Sequence, residues 1–76
     1  MGERRLFVGV NQERTGFYVK DAEGLRHDFP GTIEGMQNLL DRADAYNGGN
    51  FQCSSALFHP QEYPAINPKA FELLDQ

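Results

Sequence analysis

The side chains of this chain that could do chemistry are few and spread out. They are the carboxylates Asp21 and Asp28, the imidazoles His27 and His59, and the run Cys53-Ser54-Ser55. Metal-dependent nuclease chemistry needs two or more carboxylates converging on divalent ions at one place on a sheet. Where such a site would place its first acid, at the end of the first strand, stands the uncharged Asn11. Asp21 and Asp28 fall at a loop and at a strand end, where solvated acids are ordinary. His27, Cys53 and His59 show no Cys-x-x-Cys or His-x-x-x-His spacing, and structural zinc takes four ligands. Cys53-Ser54-Ser55 lies inside an expected strand, without the sharp strand-to-helix turn that exposes a nucleophile. The chain therefore reads as non-catalytic, with no metal and no cofactor. Cys53 is expected as a core thiol, and both histidines at the surface or at strand ends.

The elements that position these residues follow from the apolar pattern. Leu6, Val8 and Val10 alternate with Phe7 and Gly9, so both sides of a first strand are apolar and it should be central. Asn11 to Gly16 is polar and reads as a turn. Gly16 to Lys20 is a second strand, with Phe17 and Val19 on one side and Tyr18 and Lys20 on the other. Asp21 to Gly24 is a four-residue hairpin loop whose glycine can take a positive φ. Leu25, His27 and Phe29 then line one side of a third strand, with Arg26 and Asp28 opposite.

Pro30-Gly31 breaks that strand, and Thr32 is a helix N-cap with Glu34 in the first turn. Ile33, Met36, Leu40 and Ala43 recur at helical spacing, and Leu39 and Tyr46 widen the stripe. Gly35 weakens this helix by about 1 kcal/mol relative to Ala, and its small size admits close approach to the sheet. Asn47-Gly48-Gly49-Asn50 ends it. Phe51 to Phe58 is the expected fourth strand, closed by His59-Pro60. A loop from Gln61 to Ile66 follows. Asn67-Pro68 opens a short last helix with Ala70, Phe71 and Leu74 on one side. The order β-β-β-α-β-α predicts a small two-layer α+β domain over residues 1–76. One four-stranded mixed sheet is packed by one main helix and a short C-terminal helix, with the fourth strand parallel to the first.

Seventy-six residues support one small core, so a partner or self-association is expected. The apolar share of 39%, with six Phe and three Tyr, is enough for a globule and too much for a disordered tail. Eleven acids against seven bases give a net charge of −4. The bases are scattered apart from Arg4-Arg5, so the electrostatic footprint of nucleic-acid binding is missing and a basic protein partner is expected instead. A single cysteine excludes an internal disulfide and suits a reducing cytoplasm. Neither a signal peptide nor a membrane span is evident, so a cytoplasmic location is expected.

Tyr18, Lys20, Glu23, Asp28 and Tyr63 are the candidate partner-binding residues, with Phe58 beside them. Tyr18 and Lys20 lie opposite the core side of the second strand. If one side of the sheet stays bare, its aromatics suit a protein interface. The alternative is that the C-terminal segment, with Tyr63, Ile66 and Phe71, folds back over that side. The acids Glu13, Asp21, Glu23, Asp28, Asp41 and Asp44 are candidates to meet a basic partner, although a solvated rim is the commoner explanation of such charges. An uncovered sheet edge also invites pairing across a two-fold, so a homodimer is expected.

The element order is that of the opening half of an RNase H-like domain, and a narrower likeness goes with it. Val8-Gly9-Val10, the polar turn, Gly16-Phe17-Tyr18-Val19 and the segment from Gly31 to Tyr46 resemble the N-terminal domain of HicB-like antitoxins. Gly16, Phe17, Tyr18, Val19, Thr32, Glu34, Asn38 and Tyr46 carry the match, over about residues 6–46. The loop before the helix is shorter than that family's, Gly35 replaces its second helical acid, and no DNA-binding module follows in these 76 residues. The resemblance implies a partial, non-catalytic RNase H-like fold that covers a small basic toxin. The same segment also faintly resembles the start of RNase H-like transposases, whose acids would fall at Asn11 and near Ser54 or Ser55. The other function classes expected are a phage-type inhibitor of a host defence or nucleic-acid-processing enzyme, and a self-assembling structural subunit.

Overall fold

The computed structural model of the protein describes residues 5–75, so Arg4 of the Arg4-Arg5 pair lies outside the described residues. Strands β1 (Phe7–Val10), β2 (Gly16–Lys20) and β3 (Arg26–Pro30) form an antiparallel meander. Helix α1 (Ile33–Asn47) returns the chain to β4 (Gln52–Cys53), which pairs parallel with β1. The sheet order is β3-β2-β1-β4, and the short helix α2 (Pro68–Glu72) follows two single 3-10 turns. This is the expected α+β domain with a four-stranded mixed sheet, one main helix and a short C-terminal helix. No helix of the described residues is long and apolar enough to cross a membrane.

Local chemistry sets the boundaries. The Thr32 hydroxyl accepts the Gly35 N–H at 2.9 Å and starts α1. Gly48, at φ 79°, ends it, with its N–H on the Asp44 carbonyl and that of Gly49 on Ala43. Asn47 and Asn50 then clasp each other: the Asn50 N–H donates to Asn47 Oδ1, and Asn47 Nδ2 donates to the Asn50 carbonyl. Asn67 caps α2 by accepting the Lys69 N–H, with Pro68 at the first helical position.

Among the described residues, the core lies on one side of the sheet. Val8, Phe17 and Val19 are fully buried beneath Met36, Leu39 and Ala43 of α1 and Ile66, Ala70 and Phe71 of the C-terminal segment. The Phe71 ring meets Phe17 edge to face at 5.3 Å. The C-terminal segment thus shares the helix side, and it does not fold over Tyr18. Gly31 explains the route. The Asn67 N–H donates to the Gly31 carbonyl at 2.9 Å, and a side chain at Gly31 would strike Ile66.

Four expectations need correction. The fourth strand has two residues instead of the stretch from Phe51 to Phe58. Ser54 turns its hydroxyl to the Ala56 N–H and caps a 3-10 turn over Ser55–Phe58, which rolls Leu57 into the core. Leu25 belongs to the β2–β3 turn and is 60% exposed, because Asp21 Oδ1 holds the N–H groups of Glu23 and Leu25. Ile33 is turned outward, since Gly35 seats the helix on the Pro30 carbonyl and fixes its rotation. Cys53 is half-buried at the margin of the core and does not sit within it.

Candidate functional site

The side of the sheet away from the helices carries two rows of side chains fixed by the strand register. Arg26, Lys20, Phe7 and Gln52 run across β3, β2, β1 and β4 in one row. Asp28, Tyr18 and Gly9 form the next. Nothing among the described residues packs over these rows, and Phe7 is 40% exposed.

Tyr18 is the centre of this face. Its ring lies across Gly9: a Cβ at that glycine would come 2.7 Å from the Tyr18 hydroxyl and 2.8 Å from the ring. A glycine inside a strand marks such a close approach, a signal available in Val8-Gly9-Val10 but not used in reading the sequence. The Arg26 guanidinium stands 4.5 Å from the centre of the Tyr18 ring, and its Nε donates to Asp28 Oδ1 at 3.0 Å. The result is an aromatic plate with one carboxylate and two cations, Lys20 and Arg26, around it.

Of the five candidate residues, Tyr18, Lys20 and Asp28 come together here. Glu23 stands exposed in the adjoining β2–β3 turn. Tyr63 does not join them. It is half-buried on the helix side, its ring 6.2 Å from Phe71 with the Arg14 guanidinium 5.8 Å away. Phe58, 66% exposed, also lies elsewhere, on an open groove of about 560 Å³ lined by Phe51, Cys53, Leu57 and Phe71. Phe7, Arg26 and Gln52 are face residues that sequence reasoning did not single out. Phe7 was assigned to an apolar strand side without a decision on what covers it.

The acids are divided between surfaces. Asp28 is on the bare face, whereas Glu34, Asp41 and Asp44 are exposed on α1 in the other layer. Asp21 is engaged by its own turn. Asn11 has a comparable duty. Its Oδ1 accepts the Thr15 N–H at 2.8 Å and its Nδ2 donates to the Thr15 hydroxyl, closing a β1–β2 turn in which Arg14 takes φ 61°. Asn11 is thus a turn clamp. Among the described residues, no three His, Cys, Asp or Glu side chains are grouped to hold a metal ion.

Comparison with known proteins gives no match to a family model, to a curated protein or to a solved structure.

Proposed function

We propose that the chain is a non-catalytic protein-binding module that occludes a partner protein, in the manner of the antitoxin domains its first half resembles. The observation that supports this reading is the bare sheet face, with Tyr18 held flat and preorganised by Gly9 beneath and Arg26 above. Rigid aromatics flanked by arginine are the usual anchors of protein interfaces. The net charge of −4, with acids on α1 and in the β2–β3 turn, steers a basic partner toward the chain. At the contact itself, Lys20 and Arg26 call for carboxylates or backbone carbonyls on the partner. The reading places the module in the cytoplasm, where the single thiol suits reducing conditions.

The test is affinity capture followed by mass spectrometry with three baits: the native chain, the double variant Tyr18→Ala with Glu23→Lys, and Lys69→Ala as a control on α2. The proposal expects a basic protein held by the native chain and by Lys69→Ala and lost by the double variant. Retention of every captured protein by the double variant would remove the bare face from the function.

A further inference from the structure

We infer that β3 is a self-complementary edge, through which two copies of this chain pair antiparallel about a two-fold axis at His27. The backbone comes first. The Asp21 N–H donates to the Leu25 carbonyl at 3.0 Å, so this facing pair is a hydrogen-bonded one. Such pairs alternate with open pairs along an antiparallel ladder. His27 and Phe29 therefore bond to β2, while Arg26, Asp28 and Pro30 aim their backbone groups the other way. β3 is the last strand of the sheet on that side. Arg26 and Asp28 each present an N–H and a carbonyl there, whereas Pro30 has no N–H and its carbonyl lies against Gly35 of α1.

Side chains then select the occupant and the register. A second copy of β3 must set outward groups against outward groups, and a two-fold at any residue of β3 does so. Centred on Phe29 or Pro30, the facing pairs include Pro30 and leave Arg26 without a partner in the strand. Centred on Arg26, that guanidinium faces its own image. Centred on Asp28, the carboxylate faces its image, and Arg26 meets Pro30, which has no N–H to give. Centred on His27, Arg26 faces Asp28 of the second copy, and Asp28 faces Arg26 of that copy. Only this register sets opposite charges face to face, and it does so twice by symmetry. Edge strands commonly carry charge that repels a second strand. β3 carries one charge of each sign two residues apart, which is what its own two-fold image complements.

The helix side of the same strand supports this register. It brings the exposed Leu25 opposite Phe29 of the second copy, which is only half-buried in the single chain. It also brings His27 opposite its image, and because Arg42 Nη2 stands 3.0 Å from His27 Nε2 in each copy, the two Arg26–Asp28 pairs must outweigh a repulsion between the two Arg42 guanidiniums. The pair of charges is available, because Arg26 and Asp28 are bonded only at the surface, at 46% and 65% side-chain exposure. The product is a continuous eight-stranded sheet with both Tyr18 plates on one side. The dimer shares Arg26 and Asp28 with the bare face but takes its backbone bonds from the β3 edge, and it leaves Tyr18 and Lys20 uncovered.

Sedimentation equilibrium tests it, from about 10 µM to about 1 mM, a range suited to a small interface. The native chain is expected to dimerise. Arg26→Asp and Asp28→Arg should each weaken the dimer roughly tenfold or more, because both create like-charge facing pairs. The combined Arg26→Asp, Asp28→Arg chain should recover it. A native chain that stays monomeric, or a dimer indifferent to the single reversals, would overturn the inference. A second measurement fixes the register even if a reversal variant unfolds. His27→Cys in a Cys53→Ser background should form a disulfide-linked dimer on mild oxidation, since facing residues of an open pair bring their Cβ atoms within bridging reach. No cross-link would overturn the axis at His27.

Discussion

Along β2, Phe17 and Val19 are sealed under α1, Ile66 and Phe71, while Tyr18 and Lys20, one residue away, stand on the uncovered side of the same strand. The two sides solve the problem of apolar area differently. The helix side uses ordinary burial, with side chains from α1 and the C-terminal segment closing over the sheet. Among the described residues, the bare side has no layer above it. Tyr18 lies down into the recess left by Gly9, and Arg26 closes the top of the ring. The helices of the described residues cover one side, so the second side must be made tolerable in water or be covered by something beyond them. What separates a core position from an uncovered position here is a single step along the strand.

Substitutions can break or sharpen this contrast. The largest effect is expected from Phe17→Ala, which empties the middle of the sealed side and should remove about 3–5 kcal/mol of stability. That is enough to unfold a domain this small in urea titration or thermal melting. Phe7→Ala, on the bare side, should cost about 1 kcal/mol or less in the same measurement. Equal losses at the two positions would show that the bare side is covered after all.

A smaller effect concerns how the helix is seated. Gly35→Ala gains about 1 kcal/mol in helix propensity. Its new methyl group would collide with the Pro30 carbonyl and ring, so a net loss of about 1–3 kcal/mol is expected. A stabilised variant would mean that the α1–β3 contact is loose. The smallest effect is on the bare side itself. Gly9→Ala should displace the Tyr18 ring and cost about 1 kcal/mol, and that cost should vanish in a Tyr18→Ala background. A penalty unchanged in the double variant would place its cause in the backbone and not in the ring.

Much of the fold was legible because local rules and tertiary packing agreed. Alternation gave β1 and β2, Thr32 and Gly48 bounded α1, and Asn67-Pro68 opened α2. The fourth strand was misjudged because Phe51, Cys53, Ser55 and Leu57 alternate as a strand would, while Ser54 has a competing bond to make with Ala56. Leu25 was misplaced because an Asp21 turn of this kind consumes one residue more than the glycine suggests. The site was legible in part. Tyr18 and Lys20 share a side by strand parity, which a sequence shows, while the register that sets Asp28 beside Tyr18 is a feature of the folded sheet. That Tyr63 stands in the other layer depends on where the C-terminal segment crosses the sheet, and that is set by the small surface of Gly31.

The bond from the Asn67 N–H to the Gly31 carbonyl bears on the order in which the chain assembles. The two hairpins join neighbours in sequence, whereas β4 must find β1 and Phe71 must find Phe17 across most of the chain. Loop-closure entropy delays such distant contacts. On a ribosome the meander and α1 emerge before residues 66–71 exist, so the nascent domain waits with the Phe17 end of its core unroofed. A chain cut short before residues 66–71 would leave open the interior side of the sheet, the side opposite Tyr18.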